Sequence, residues 1–136
     1  MSMTPSEKPK KILIIDDHRM NLFVLETVIK EHFDLEVFSA ESGQEGLDIV
    51  EREEISLILL DMMMPFMSGY DFLKIIKAHP NSTIADLPVV SVTANVMDGE
   101  RESCLAAGAS DYVGKPIDVD YLNELITKYS GHDKTG

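Results

Sequence analysis

Lys11-Ile12-Leu13-Ile14-Ile15-Asp16-Asp17 is an aliphatic run that stops on two acids, and Leu57-Ile58-Leu59-Leu60-Asp61 is a second run that stops on another. Parallel strands buried on both faces read as near-continuous Val, Ile and Leu, and open α/β sheets place their ligands beyond the carboxyl ends of such strands. Two strand ends bearing three carboxylates therefore predict one acidic nest. Each unpaired carboxylate pair would repel by roughly 4 kcal/mol at about 4 Å and an effective dielectric near 20. A hard divalent cation that prefers oxygen ligands is the expected counter-charge.

Working outward, strand and helix patterns alternate. Strands are predicted at Lys11–Ile15, Leu35–Ser39, Ser56–Leu60, Pro88–Val92 and Asp111–Val113. Helical period over Asn21 to Glu31 puts Leu22, Leu25, Val28 and Ile29 on one stripe. Ser42-Gly43-Gln44-Glu45 reads as a capping box opening a helix whose Leu47 and Val50 face the sheet. Ser68 is expected to cap a third helix, with Phe72, Leu73, Ile75 and Ile76 inward and His79-Pro80 closing it. Asp98 is expected to cap a fourth that ends at Gly108, and Asp118 a fifth carrying Leu122, Leu125, Ile126 and Tyr129. Five βα units with short connections predict an α/β fold: a parallel sheet, helices on both faces, right-handed crossovers.

Composition narrows the function classes. The chain has 136 residues, 44% apolar and 26% charged, which suits one globular domain. We expect it to span residues 11–129, with 1–10 as a flexible N-terminal tail and 130–136 as a flexible tail or linker stub. No apolar run approaches the ~20 residues of a membrane span. Met1 to Lys11 lacks an apolar signal core. The single cysteine, Cys104, reads as a buried helical thiol and fits a reducing cytoplasm. A net charge of −12 argues against direct nucleic-acid binding, which draws on clustered Lys and Arg. No glycine-rich phosphate loop and no Ser-His-Asp pattern is present.

Five motifs in order carry a family resemblance: Asp16-Asp17, Asp61, Met64-Pro65 with Ser68-Gly69, Thr93-Ala94, and Tyr112 followed by Lys115-Pro116. Over residues 11–129 the chain resembles the receiver domain of two-component response regulators. Its wording is similar to receivers fused to hybrid histidine kinases and to some stand-alone ones. The resemblance implies a flavodoxin-like (βα)5 doubly wound three-layer sandwich with strand order 2-1-3-4-5. It implies a phosphorylation-dependent switch rather than an enzyme, apart from catalysis of its own phosphorylation and dephosphorylation. Asp61 would be the phosphoacceptor, and Asp16, Asp17, Asp61 and the backbone carbonyl of Met63 the ligands of Mg2+, or of Mn2+ in its place. Lys115 would contact the incoming phosphoryl oxygens, its Lys115–Pro116 peptide cis, and Thr93 and Tyr112 would form the switch pair. The resemblance places the output face between Asp98 and Tyr129, over the fourth helix, fifth strand and fifth helix. Partners would be a histidine kinase or histidine phosphotransfer protein as donor, and a downstream effector or fused output domain. The chain would be a monomer or a phosphorylation-dependent dimer, with no membrane contact. Its length leaves no room for an output domain, so the reading is a stand-alone receiver or a fragment.

Two departures stand out. Met63 and Asn95 occupy positions that border the path of attacking water in the family, and an apolar Met63 would lengthen the phosphoryl lifetime. Competing classes fit less well. An aspartyl-phosphate phosphatase of the haloacid dehalogenase type needs an acid where Met63 stands. A flavin module needs a Ser/Thr/Gly-rich phosphate loop after the first strand. A degenerate receiver acting as a constitutive binding module is opposed by the full set of acids, hydroxyl and lysine. His18 reads as a solvent-facing first-turn residue, and Met62, Met63, Met64 and Met67 as apolar loop filler.

Overall fold

The computed structural model describes residues 10–94 and 99–130. Strands β1 (Lys11–Ile15), β2 (Glu36–Ala40), β3 (Leu57–Asp61), β4 (Val89–Thr93) and β5 (Asp111–Gly114) form one sheet. All pairings are parallel and the order is β2-β1-β3-β4-β5. Helices α1 (Arg19–His32), α2 (Gly43–Arg52), α3 (Gly69–Lys77), α4 (Ser82–Ala85), α5 (Glu100–Ala106) and α6 (Val119–Ser130) complete the chain. The result is a flavodoxin-like three-layer α/β sandwich. From β1 the chain steps one way to β2 and then back to β3, so the topological switch point lies between β1 and β3.

The aliphatic runs explain this arrangement. In β1, Ile12 and Ile14 face α1 and α6 while Leu13 and Ile15 face the other helices; β3 repeats the division with Leu57 and Leu59 against Ile58 and Leu60. Every residue of β3 and β4 is buried. Each fully buried Leu or Ile contributes roughly 1.5–3 kcal/mol relative to exposure, so a strand of such residues is held only between two helical layers. Leu22, Leu25 and Ile29 of α1 and Leu122, Leu125 and Ile126 of α6 close one face. Ile49 and Val50 of α2, Phe72, Leu73 and Ile76 of α3, Ile84 of α4 and Cys104 of α5 close the other. Among the described residues, no helix is long and apolar enough to cross a membrane.

Several expectations need correcting. β2, β3 and β4 each begin and end one residue later than hydropathy suggested, because the ladder hydrogen bonds run on to Ala40, Asp61 and Thr93. At α2, Ser42 Oγ accepts from the Glu45 N–H at 3.2 Å, but the Glu45 carboxylate accepts from the Glu41 N–H at 3.4 Å, so the box is only half closed. The reciprocal box forms at α3, between Ser68 and Asp71. Ile75 lies 41% exposed, because the 3.6-residue period gives the buried stripe to Phe72, Leu73 and Ile76. The short α4, capped by Asn81 Oδ1 on the Thr83 N–H at 3.0 Å, carries too few residues for a period to show. α5 opens at Glu100 after Gly99 in the left-handed region; the cap expected from Asp98 lies outside the described residues, as does Asn95.

Candidate functional site

Because Ile15 pairs with Leu60 across β1 and β3, the next residue of each strand emerges at the same edge: Asp16 beside Asp61. The Asp16 N–H donates to Ala40 O at 3.1 Å, which carries the β1–β2 ladder one residue beyond β1. The residue is 1% exposed and its side chain heavily bonded. Its Oδ1 accepts from the His18 N–H at 2.9 Å, and its Oδ2 accepts from Asn21 Nδ2 and from Lys115 Nζ, both at 3.2 Å. Asp17 differs. Its Oδ1 is shielded from solvent and makes no hydrogen bond, although His18 Nδ1 approaches to 3.2 Å.

Asp61 closes β3 and is 6% exposed, its Oδ1 accepting from the Met63 N–H at 3.1 Å. Burial pushes its carboxyl above the usual carboxylate range; the Met63 amide opposes this, Asp16 adds to it, Lys115 opposes it and Asp17 adds a little more. Gly69 fixes this strand end against α3. A Cβ there would lie 2.6 Å from Met62 Cα and 2.8 Å from the Asp61 carbonyl oxygen, backbone atoms that cannot swing aside. Met62 is buried and Met64 and Met67 pack against the core, but Met63 is 60% exposed. Loop filler therefore describes three of the four methionines; Met63 follows the turn that presents its N–H to Asp61 and leaves its thioether in solvent.

The other wall comes from β4 and β5. Thr93 ends β4 fully buried, one position beyond Val92, which pairs with Asp61. The Lys115 N–H donates to Thr93 O at 2.9 Å, and the Lys115–Pro116 peptide is cis. The ammonium sits on Asp16, with 21% of the side chain exposed. Tyr112 pairs with Ser91 across β4 and β5 and is half-buried on the α5 side; burial pushes its phenol up, helped by the Cys104 thiol and Glu100.

Ligand atoms of Asp16, Asp17, His18 and Asp61 lie within 4.8 Å of one another. Three hard carboxylates, one carrying a shielded and unbonded oxygen, suit the donor set that Mg2+ requires. The residues fit the ion. The predicted residues Asp16, Asp17, Asp61 and Lys115 thus share one pocket, with Thr93 on the adjoining strand end and Tyr112 further down the α5 side. His18 faces solvent as expected, its ring 67% exposed, but Nδ1 turns inward, 3.3 Å from Asp16 Oδ1 and 3.2 Å from Asp17 Oδ1. Its N–H bond to Asp16 bends the chain there and places the ring over both acids. Asn21 was missed; an amide at the start of the α1 stripe, close behind two acids, was the signal. Equally unforeseen is the link from α3 to α5, where Tyr70 OH donates to Glu100 Oε1 at 3.0 Å beside the buried Cys104.

Comparison with known proteins agrees with this geometry. The family described as Response regulator receiver domain matches residues 12–127. The polar-differentiation response regulator DivK of Brucella anthropi is 32% identical, the match covering 90% of this chain and 98% of that protein. Sensor protein GacS of Pseudomonas syringae pv. syringae is also 32% identical over 93% of this chain, which spans only 14% of GacS. Among solved structures, the receiver domain of sensor histidine kinase PA1611 from Pseudomonas aeruginosa, with magnesium coordinated in its active site cleft, superposes with a TM-score of 0.80. That match is 29% identical and covers 90% of this chain and 98% of that one. Strand order, acid placement and sequence similarity converge, and the chain belongs to the response regulator receiver domain family of two-component signalling.

Proposed function

We propose that this chain is a phosphorylation-dependent switch in a two-component phosphorelay, with Asp61 as the acceptor. The observation that carries the reading is the position of Asp61: buried at a strand end, against two further carboxylates and within the field of a lysine. The donor is a phosphohistidine on a histidine kinase or phosphotransfer protein. An Asp61 oxygen attacks phosphorus in line, forming a P–O bond as the P–N bond to the imidazole breaks; the electron pair leaves with the imidazole, which takes up a proton. Burial strips water from the nucleophile, so less solvent must be displaced before attack. Asp16, Asp17, Asp61 and the Met63 carbonyl would hold Mg2+, which supplies positive charge for the phosphoryl oxygens. Asp16 also orients Lys115, whose ammonium is then available to a phosphoryl oxygen.

The consequence is local electrostatics turned into motion. A phosphoryl group adds about −1.5 to −2 charge and three acceptor oxygens. Thr93, one strand away, donates to one of them, and its shift frees space for Tyr112 to rotate on the α5 side. The output surface is then α5, β5 and α6, read by a downstream protein or a fused output domain. The donor docks where α1 leaves Met20, Phe23 and Val24 exposed next to Asn21. The receiver unit is residues 11–129 and the setting is the cytoplasm.

Incubation with Mg2+ and acetyl phosphate, followed by intact-mass measurement, tests this reading. One phosphoryl group should appear on the wild type, and none on Asp61→Asn. Equal labelling of both proteins would overturn it.

A further inference from the structure

Among the described residues, the cation-ready group at the carboxyl edge contains one member that magnesium chemistry leaves without a role: His18. Its Nδ1 stands 3.3 Å from Asp16 Oδ1 and 3.2 Å from Asp17 Oδ1. Ligands bound at about 2.0–2.2 Å to one ion sit roughly 3.0–3.6 Å apart along an edge of its coordination shell. Both separations fall in that interval. The Asp17 oxygen facing the ring is buried and unbonded. The imidazole makes no helix-capping bond; its Nδ1 lies within hydrogen-bond reach of Asp16 Oδ1, the same oxygen that anchors the backbone N–H of this residue, and in the tautomer that carries the proton on Nε2 the Nδ1 lone pair faces the acids. The turn and this ring contact together set its placement over the two acids, and its exposed side opens a solvent route to the nest.

We propose that His18 Nδ1 is a fourth side-chain ligand of this nest and makes it selective for divalent ions that accept nitrogen, Zn2+ above all and Mn2+ next, over Mg2+. The inference rests on the reading of the nest as a cation site and adds a residue to it. Mg2+ takes oxygen donors and waters, so it occupies the carboxylates and leaves the imidazole outside. Zn2+ and Mn2+ accept imidazole and carboxylate together, and Zn2+ stands well above Mn2+ in affinity for such mixed sites. Asp17 and His18, adjacent in sequence, then form a chelating pair, the Asp17 oxygen having no hydrogen bond to give up, whereas Asp16 already accepts from Asn21, Lys115 and the His18 amide and offers the ion its remaining lone pair.

Calorimetric titration of the full chain with Mg2+, Mn2+ or Zn2+ alone decides the matter, using wild type, His18→Ala and Asp17→Asn. His18 is exposed, so the alanine variant keeps its fold, which circular dichroism checks. The expected result is a loss of at least about tenfold in Zn2+ affinity and a smaller loss for Mn2+ in His18→Ala, with Mg2+ affinity within about twofold of wild type. Pulsed electron paramagnetic resonance of the Mn2+ complex should show a nitrogen coupling that disappears in His18→Ala. Unchanged Zn2+ affinity, or an equal gain for all three ions, would overturn the proposal: the ring would then be an ion-pair partner that competes with metal. Asp17→Asn separates the two claims. If Mg2+ binds wild type and is lost in Asp17→Asn, the nest reading stands whatever His18 does; if wild type binds no Mg2+, that reading falls while a His18-dependent Zn2+ site would survive.

Discussion

The two faces of the sheet are built from different chemistry. Toward α1 and α6 the strands turn the aliphatic Ile12, Ile14, Leu57, Leu59, Val90, Val92 and Val113, and polar groups enter at the sheet edges, Ser39 on β2 and Asp111 on β5, the latter held by the Tyr121 and Tyr129 hydroxyls of α6. Toward the other helices they begin the same way, with Leu13, Ile15, Ile58, Leu60 and Val89. Near β4 and β5 that pattern breaks. Alternation along β4 sends Ser91 and Thr93 to this side, and Tyr112 joins them from β5. Over them lie Cys104 and the Tyr70–Glu100 hydrogen bond. Ser91 Oγ is buried beside the thiol with no well-formed bond. Interdigitated aliphatic side chains settle into one close-packed arrangement. Hydroxyl, thiol, phenol and carboxylate groups are held by directional bonds that can change partner. The centre of the first face is therefore a scaffold that fixes the strand ends, and the second is where, on the proposed function, a charge placed on Asp61 would be converted into movement.

The largest effect should come from damaging the scaffold. Leu59 is 1% exposed, and Leu59→Ala should cost about 3 kcal/mol of unfolding free energy in a denaturant titration. Acetyl-phosphate labelling of the folded fraction should persist. Loss of labelling without loss of stability would mean that the scaffold face also takes part in the chemistry.

Removing the buried charge should act in the opposite direction. The carboxyl of Asp61 is held above its ordinary value of 3.8, so the ionised form is the one that folding disfavours. Its favourable contribution is fully present below that value and is lost as pH rises through the raised one. Without metal, Asp61→Asn should therefore be more stable than wild type near neutral pH, by on the order of 1 kcal/mol. The gap should close as pH falls toward 4. A variant less stable than wild type at neutral pH would show that the Met63 and Lys115 contacts outweigh burial.

A smaller effect sharpens the contrast from the other side. Tyr70→Phe removes the bond to Glu100 at a cost of about 1 kcal/mol. Hydrogen exchange in α5 should quicken while α6 keeps its protection. Equal loosening of both helices would erase the distinction between the two faces.

Much of this was legible in the chain. Runs such as Ile12 to Ile15 and Leu57 to Leu60 announce strands buried on both sides, because few other elements bury four consecutive aliphatic residues. The acids that end these runs announce the site. What hydropathy could not supply was the extent of the ladder: Asp61 and Thr93 belong to their strands because backbone hydrogen bonds continue beneath polar side chains. The inward turn of His18 depends on the bend imposed by the Asp16 side chain on the His18 amide, a local bond invisible to periodicity. The Tyr70–Glu100 contact joins residues 30 apart in sequence, and only the packing of α3 beside α5 brings them together.

The most direct test of the central claim is the location of the phosphoryl group. After labelling with acetyl phosphate and Mg2+, borohydride reduction converts an aspartyl phosphate to homoserine, and peptide mass mapping identifies the residue. The account predicts conversion at Asp61 alone. Conversion at Asp16 or Asp17, or a phosphoryl group on His18, would contradict it.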